Sequence, residues 1–414
     1  MWNGVAVSIK FVSALAINKI LALFVGPAGY ALVGQFQNAV AIVVTFSTSA
    51  VNTGVTKHTA EYFDDLNQQR RIWRTTGTLI IGASVLMALL IALFSTQLAI
   101  LFLHTPQYQP VFVWLAISLI FISLNGFLLA ILNGMKEVRR YVISNIWGSV
   151  LGLAIIGVMS WQLGLIGALI ALSVNQAAVF FVTAAQIRSA SWFRFEDMFG
   201  ALDRVELNRL GKFALMAATT AIVVPVSLIL IRNHLIAQFG IVHAGYWDAM
   251  WRISAMYLLL VTTTLSLYYL PRIAEIRNWP ELAAELKHVY VLVLPAVIIA
   301  SVTVYLLRNF IIPVLFDDSF LPMNQLFGWQ MFGDVLKIGS WILAFLMIGK
   351  GLTKAYIITE VCASTVFYLA TVVLTSRYGF QGVAMAHTAT YGVYWVMVYT
   401  LTVSTARQRQ ALFS

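Results

Sequence analysis

The chain carries its own copy. Asn18-Lys19-Ile20-Leu21-Ala22-Leu23-Phe24 returns as Asn233-His234-Leu235-Ile236-Ala237-Gln238-Phe239, at an offset of 215 residues. The same offset carries Arg139-Arg140-Tyr141-Val142-Ile143-Ser144-Asn145 onto Lys354-Ala355-Tyr356-Ile357-Ile358-Thr359-Glu360, and Gly164-Leu165-Ile166-Gly167 onto Gly379-Phe380-Gln381-Gly382. A fold for this chain must therefore be built from two versions of one unit. In a helical membrane chain, such symmetry marks proteins in which one half rocks against the other.

The membrane assignment follows from composition. Of the 414 residues, 60% are hydrophobic and 10% charged, with a mean hydropathy of +0.86; soluble domains carry about 25% charge. Apolar runs of about 20 residues alternate with short polar connections, the pattern of transmembrane helices. No two-residue alternation is present, so the backbone is satisfied by helices rather than by a closed barrel. The predicted architecture is all-α, with about twelve spans in two six-helix bundles around a central cavity. The spans fall roughly at 2–23, 31–55, 75–103, 111–133, 141–161 and 165–187, then 213–236, 246–270, 288–307, 325–348, 355–375 and 381–405. The bundles cover 1–190 and 213–414, joined by 191–212. An even number of spans per copy makes the repeats parallel.

The charge pattern gives an orientation. Basic residues cluster in alternate connections: Lys57, Arg70, Arg71 and Arg74; Lys136, Arg139 and Arg140; Arg188, Arg194, Arg204, Arg209 and Lys212; Arg272, Arg277 and Lys287; Lys350 and Lys354; Arg407 and Arg409. The intervening connections hold only Arg232, Arg308 and Arg377. By the positive-inside rule both termini are cytoplasmic, and the net charge of +10 reflects topology rather than nucleic-acid binding. The linker places Trp192, Phe193, Phe195, Met198 and Phe199 among charges, suiting a short amphipathic helix on the inner membrane surface. Cys362 is the only cysteine, so neither a disulfide nor a metal cluster is expected, and no cofactor. The first apolar stretch holds Lys10 and Lys19 and reads as a retained helix rather than a signal peptide.

Ionisable side chains within a span cost several kcal/mol on insertion scales, so each needs a reason. Six fall within the predicted spans: Lys10, Lys19, Arg252, Asp334, Lys337 and Glu360, with Asp248 close by. Lys10 either snorkels to a headgroup or lines the cavity as a cation; Lys19 has the same two readings nearer the rim. Asp334 and Lys337 share one helical face, either as a local ion pair or as cavity groups that part and re-form. Glu360 stands where the first copy has Asn145, and either bridges to Lys354 or carries a proton. Arg252, beside Trp247 and Trp251, offers a donor fork for phosphate and indole faces for sugars; the alternative is an interfacial aromatic belt. Four cations against two carboxylates favour an anionic substrate. Pro225 and Pro295 are candidate hinges or static kinks. Asp64-Asp65 and Asp317-Asp318 lack partners for metal or acid–base chemistry, so no enzyme is expected.

Four stretches carry a family resemblance: Gly26-Pro27-Ala28-Gly29, Asn52-Thr53-Gly54-Val55-Thr56-Lys57, Tyr268-Tyr269-Leu270-Pro271-Arg272, and Trp329-Gln330-Met331-Phe332-Gly333-Asp334-Val335-Leu336-Lys337-Ile338-Gly339-Ser340. They resemble the Wzx polysaccharide flippases, which carry O-antigen or enterobacterial common-antigen units and belong to the multidrug/oligosaccharidyl-lipid/polysaccharide exporter superfamily. The likeness runs over nearly the whole chain, although relatives usually have a short polar stretch before the first helix. It implies two six-helix bundles that open alternately to each side of a bacterial inner membrane. The implied substrate is an oligosaccharide on undecaprenyl diphosphate, moved from the inner to the outer leaflet. Lys10, Arg252 and Lys337 are consistent with the family's cationic cavity. The implied partners are that lipid-linked glycan, membrane lipids, and a Wzy-type polymerase with a Wzz-type chain-length regulator. Two rival expectations remain: an ion-coupled drug or cation antiporter of the same superfamily, with a net negative cavity, and a membrane glycan polymerase, which needs a large outer loop bearing carboxylates.

Overall fold

The structure, a computed structural model, describes residues 2–190, 192–404 and 410. The tail residues Arg407 and Arg409 lie outside that range, as do the side chains of 204–220. The described backbone is helical, without strands. The chain divides into two compact units, Met1–Pro225 and Val226–Ser414.

The first unit contains α1 (Trp2–Val44), α2 (Ala50–Glu61), α3 (Leu66–Leu93), α4 (Ser95–Leu103), α5 (Gln109–Gly134) and α6 (Val138–Arg188). Helix α7 (Arg204–Phe239) crosses the division at Pro225. The second unit continues with α8 (Ile241–Thr264), α9 (Leu270–Glu275), α10 (Trp279–Leu306), α11 (Arg308–Leu315), α12 (Phe327–Gly349), α13 (Thr353–Tyr378) and α14 (Gly382–Thr402). Within the first unit α6 packs on α1 and α5, and α3 on α5; within the second α14 packs on α12 and α13, and α10 on α12.

Eight helical stretches among the described residues are long and apolar enough to cross a membrane. Three of them, of 40, 51 and 50 residues, reach at least twice the roughly 20 needed per crossing and each contains a turn. Gly26 breaks α1 and Gly164 breaks α6, both at positive φ, and Gly379 separates α13 from α14. Each of these stretches therefore folds as two spans. With α8, whose hydropathy is lowered by Asp248 and Arg252, the spans come to the expected twelve. The outer faces confirm the solvent: on α10, Leu292, Ile299 and Leu306 are 64–68% exposed, and such apolar exposure is stable only in lipid.

The repeat is written into the backbone. After α5, Met135 N–H donates to the Ile131 carbonyl, Lys136 to Asn133, Glu137 to Leu132 and Val138 to Lys136. After α12, Lys350 donates to Leu346, Gly351 to Ile348, Leu352 to Met347 and Thr353 to Gly351. All four bonds recur at an offset of 215, forming a helix-ending turn that needs a left-handed residue, here Lys136 (φ 57°) and Gly351 (φ 67°). Gly164 (φ 57°) and Gly379 (φ 65°) obey the same offset. So do the helix crossings that follow: a Cβ on Gly167 would lie 2.0 Å from the Met159 carbonyl oxygen, and one on Gly382 2.3 Å from that of Leu374.

The linker departs from expectation. Between α6 and the start of α7 at Arg204, the described regular element is a 3₁₀ turn, Phe195–Met198, rather than an amphipathic helix. This turn belongs to the first unit and docks on α3. Buried Asp197 takes Arg70 Nε at 2.8 Å and Arg74 Nη2 at 2.6 Å, and Trp192 packs on Trp73 with centroids 5.5 Å apart. The Met198 carbonyl oxygen comes so close to Gly77 that a Cβ there would lie 1.9 Å away. Four of the five aromatic and apolar linker residues are thus spent on protein contacts with the core around Trp73: Trp192, Phe193 and Phe199 pack against it from the side, Met198 enters it, and Phe195 remains 70% exposed.

Candidate functional site

The first unit encloses a cavity of about 610 Å³ between α1, α2, α5 and α6. Its polar lining is Lys10, Ser13, Thr48, Asn52, Asn125, Ser144, Asn145, Ser149, Asn175 and Gln176. Among the described residues the lining contains five carboxamides and a single cation, and no carboxylate. Lys10 enters it from the middle of the first half of α1. A π-helical turn, Thr45–Ser49, precedes α2; Thr45, Ser47 and Thr48 bond back to carbonyls four residues earlier. Such a bulge rotates the following helix and aims Asn52 inward. Four wall atoms have no hydrogen-bond partner among the described residues: Oδ1 of Asn52, Asn125 and Asn175, and Oγ of Ser144.

In the corresponding place the second unit carries charged and aromatic side chains. Four positions lining the first cavity, Ile122, Gly126, Asn145 and Gln176, map by the repeat onto Lys337, Trp341, Glu360 and Tyr391. Lys337 Nζ lies over the rings of Trp251 (4.9 Å), Trp341 (4.9 Å) and Tyr391 (5.5 Å), a three-sided aromatic cage that solvates an ammonium without water. Asp334, fully buried, accepts from Tyr257 Oη at 2.8 Å and pairs with His387 Nε2 at 3.0 Å. Glu360 acts electrostatically on Lys337, Tyr391 and Tyr394.

Asp334 and Lys337 make no close ion-pair contact with each other among the described residues, although each feels the other's charge. No described ion pair joins Glu360 to Lys354 either. Trp251 belongs to the cage and also stacks on Phe367 (6.0 Å, 20°). Trp247 is buried, with the Arg232 guanidinium 5.5 Å from its ring. Arg232, expected in an outer connection, is itself buried on α7, where its Nε donates to Asp248 at 2.9 Å. That bidentate pair neutralises Asp248, since neither charge survives alone in a dry interior. Arg252 and Lys19 are half-buried and line neither the cavity nor the cage. The helices continue through Pro225 and Pro295.

Reasoning from the sequence missed His387. Its counterpart is Leu172, and the helix around it is apolar. The available signal was Gly333 beside Asp334: a Cβ on Gly333 would lie 2.4 Å from His387 Cδ2, so the glycine makes room for the imidazole.

The family described as polysaccharide biosynthesis protein matches residues 1–277. The lipid III flippase of Escherichia coli (strain K12) is 31% identical over 395 residues, covering 95% of both chains, and the lipid III flippase of Shigella flexneri matches to the same extent. The chain belongs to the polysaccharide biosynthesis protein family. Its matched relatives are named as flippases, transporters rather than enzymes. Among solved structures, a multidrug resistance MATE family transporter of the MOP superfamily, inward-facing, aligns with a TM-score of 0.79 at 13% identity, over 94% of this chain and 93% of that one. The lipid II flippase MurJ, in an inward closed conformation, aligns with a TM-score of 0.73 at 13% identity, over 99% and 89%. At those identities the two structures show a shared fold. Among family members of this fold, the chemistry must be argued from the interior side chains.

Proposed function

We propose that the protein moves an undecaprenyl-diphosphate-linked oligosaccharide from the cytoplasmic to the periplasmic leaflet of a bacterial inner membrane. The observation that carries this reading is the cavity of the first unit, where Lys10 is the single charge amid neutral carboxamides and hydroxyls. A sugar–diphosphate head pays a prohibitive cost in hydrocarbon. A cavity with a cation and hydrogen-bonding walls replaces its water, while the isoprenoid tail stays in lipid. Alternating exposure of the head to the two sides provides the gate. Arg252, Lys19 and the Trp247–Trp251 pair are secondary candidates for the head. Asp334 and Glu360 are candidates for gating or ion coupling, and Pro225 and Pro295 for hinges. Both termini lie in the cytoplasm, and a Wzy-type polymerase with its Wzz-type regulator would consume the product.

The test is expression in a bacterium lacking its own flippases of this type. Surface glycan should return and the lipid-linked intermediate should clear. Intermediate trapped in the presence of well-inserted protein, for every glycan tried, contradicts the reading. The antiporter alternative would place a carboxylate in the cavity, and the lining has none.

A further inference from the structure

The cavity of the first unit is built around neutral amides, and their unmet hydrogen bonds say what they are for. Asn52, Asn125 and Asn175 each leave Oδ1 without a partner, and Ser144 leaves Oγ. A diphosphate offers only acceptors and cannot satisfy a carboxamide oxygen. A cation can take carboxamide oxygens, but here it would sit beside Lys10 with no carboxylate among the described lining residues to offset the charge. A hydroxyl donates and accepts at once, as a carboxamide does, so a hydroxyl-rich ligand meets these walls whichever way each amide is turned.

Space for the amides is specified by glycine. A Cβ on Gly126 would lie 2.8 Å from Asn52 Nδ2, and one on Gly152 2.8 Å from Asn175 Nδ2. In the second copy the counterpart of Gly126 is Trp341, which fills the equivalent interior. One copy therefore has an amide-lined cavity here, and the other has a tryptophan of the Lys337 cage. The open volume, about 610 Å³, falls within the roughly 300–1,000 Å³ of small-molecule sites.

We propose that this cavity is a saccharide subsite, in which Asn52, Asn125 and Asn175 bind uncharged sugar rings through their hydroxyls while Lys10 takes the neighbouring anionic group. The proposal rests on the flippase reading above and adds to it which half of the molecule reads the glycan, and by which groups. Among the described residues the lining has no aromatic ring, so its recognition proceeds through hydrogen bonds.

The experiment measures binding to the full chain in lipid nanodiscs with two probes: undecaprenyl diphosphate bearing an oligosaccharide, and undecaprenyl diphosphate alone. The readout is the ratio of the two affinities. The wild-type chain should prefer the glycosylated probe. Asn52→Leu and Asn175→Leu should lower that ratio by about tenfold, the effect of one or two lost hydrogen bonds. Gly152→Ala, which adds one methyl group and displaces the Asn175 amide, should lower it too, and keeps the test intact if the leucine variants misfold. An unchanged ratio in all correctly folded variants overturns the subsite. A wild-type ratio near one overturns it as well, even with tight binding of both probes. If the wild-type chain binds neither probe, the flippase reading itself falls.

Discussion

Lys10 lies on α1 in a lining that, among the described residues, contains no carboxylate. Its replacement by alanine removes the cavity's only cation without leaving a buried partner unpaired. Lys10→Ala should therefore insert and fold normally yet lose most transport, a combination read by comparing membrane abundance with surface glycan. Asp334 behaves in the opposite way. Asp334→Ala strands the His387 imidazole in a dry interior and leaves the Tyr257 hydroxyl with Ser301 alone, at about 1–3 kcal/mol for an unsatisfied buried group. Thermal unfolding in detergent should show a clear loss of stability, with Asp334→Asn losing less. Equal stability of Asp334→Ala and the wild type would show that this network is not structural. The ionisable residues were legible in the sequence because a charge in an apolar run stands out. Their partners were not, because aromatic side chains such as Trp251, Trp341 and Tyr391 look the same in a cage as in a lipid-facing belt. The asparagines of the cavity were equally silent: a carboxamide in a span carries no charge, and only the fold shows several converging.

At the scale of elements, the segment between the two copies belongs to α3 more than to the membrane surface. Composition could not reveal this, because a tryptophan beside phenylalanines reads as interfacial until Trp73 is seen beneath it. The docking depends on Gly77, whose missing side chain admits the Met198 carbonyl, and on Asp197 between Arg70 and Arg74. Gly77→Ala should undock the linker, since a carbonyl cannot share that space with a methyl group. Limited proteolysis would then cut within 191–203, where the wild type resists. Resistance equal to wild type would mean that the linker docks without the close approach. The paired spans within α1 and α6 tell the complementary story. Their boundaries were legible from Gly26 and Gly164, because positive φ is readily adopted only by glycine and apolar stretches twice the membrane thickness must turn.

For the molecule as a whole, the repeat was the feature most fully legible. It survives as backbone hydrogen bonds, left-handed residues and glycine contacts at one offset, even where side chains have diverged. Its parallel sense makes a further prediction. In a Cys362→Ser background, Lys136→Cys and Gly351→Cys occupy equivalent turns, and both should react with an impermeant thiol reagent only from the cytoplasmic side. Labelling from opposite sides would break the parallel topology. Within this frame the copies diverge: one carries an amide-lined cavity with Lys10, and the other an aromatic cage around Lys337. The measurement that tests this account most directly is transbilayer movement of a fluorescent lipid-linked oligosaccharide in vesicles containing the purified chain. The wild type should accelerate flipping well above protein-free vesicles, and Lys10→Ala should abolish most of that gain. A wild type no faster than empty vesicles, or a Lys10→Ala variant as fast as wild type, would contradict it.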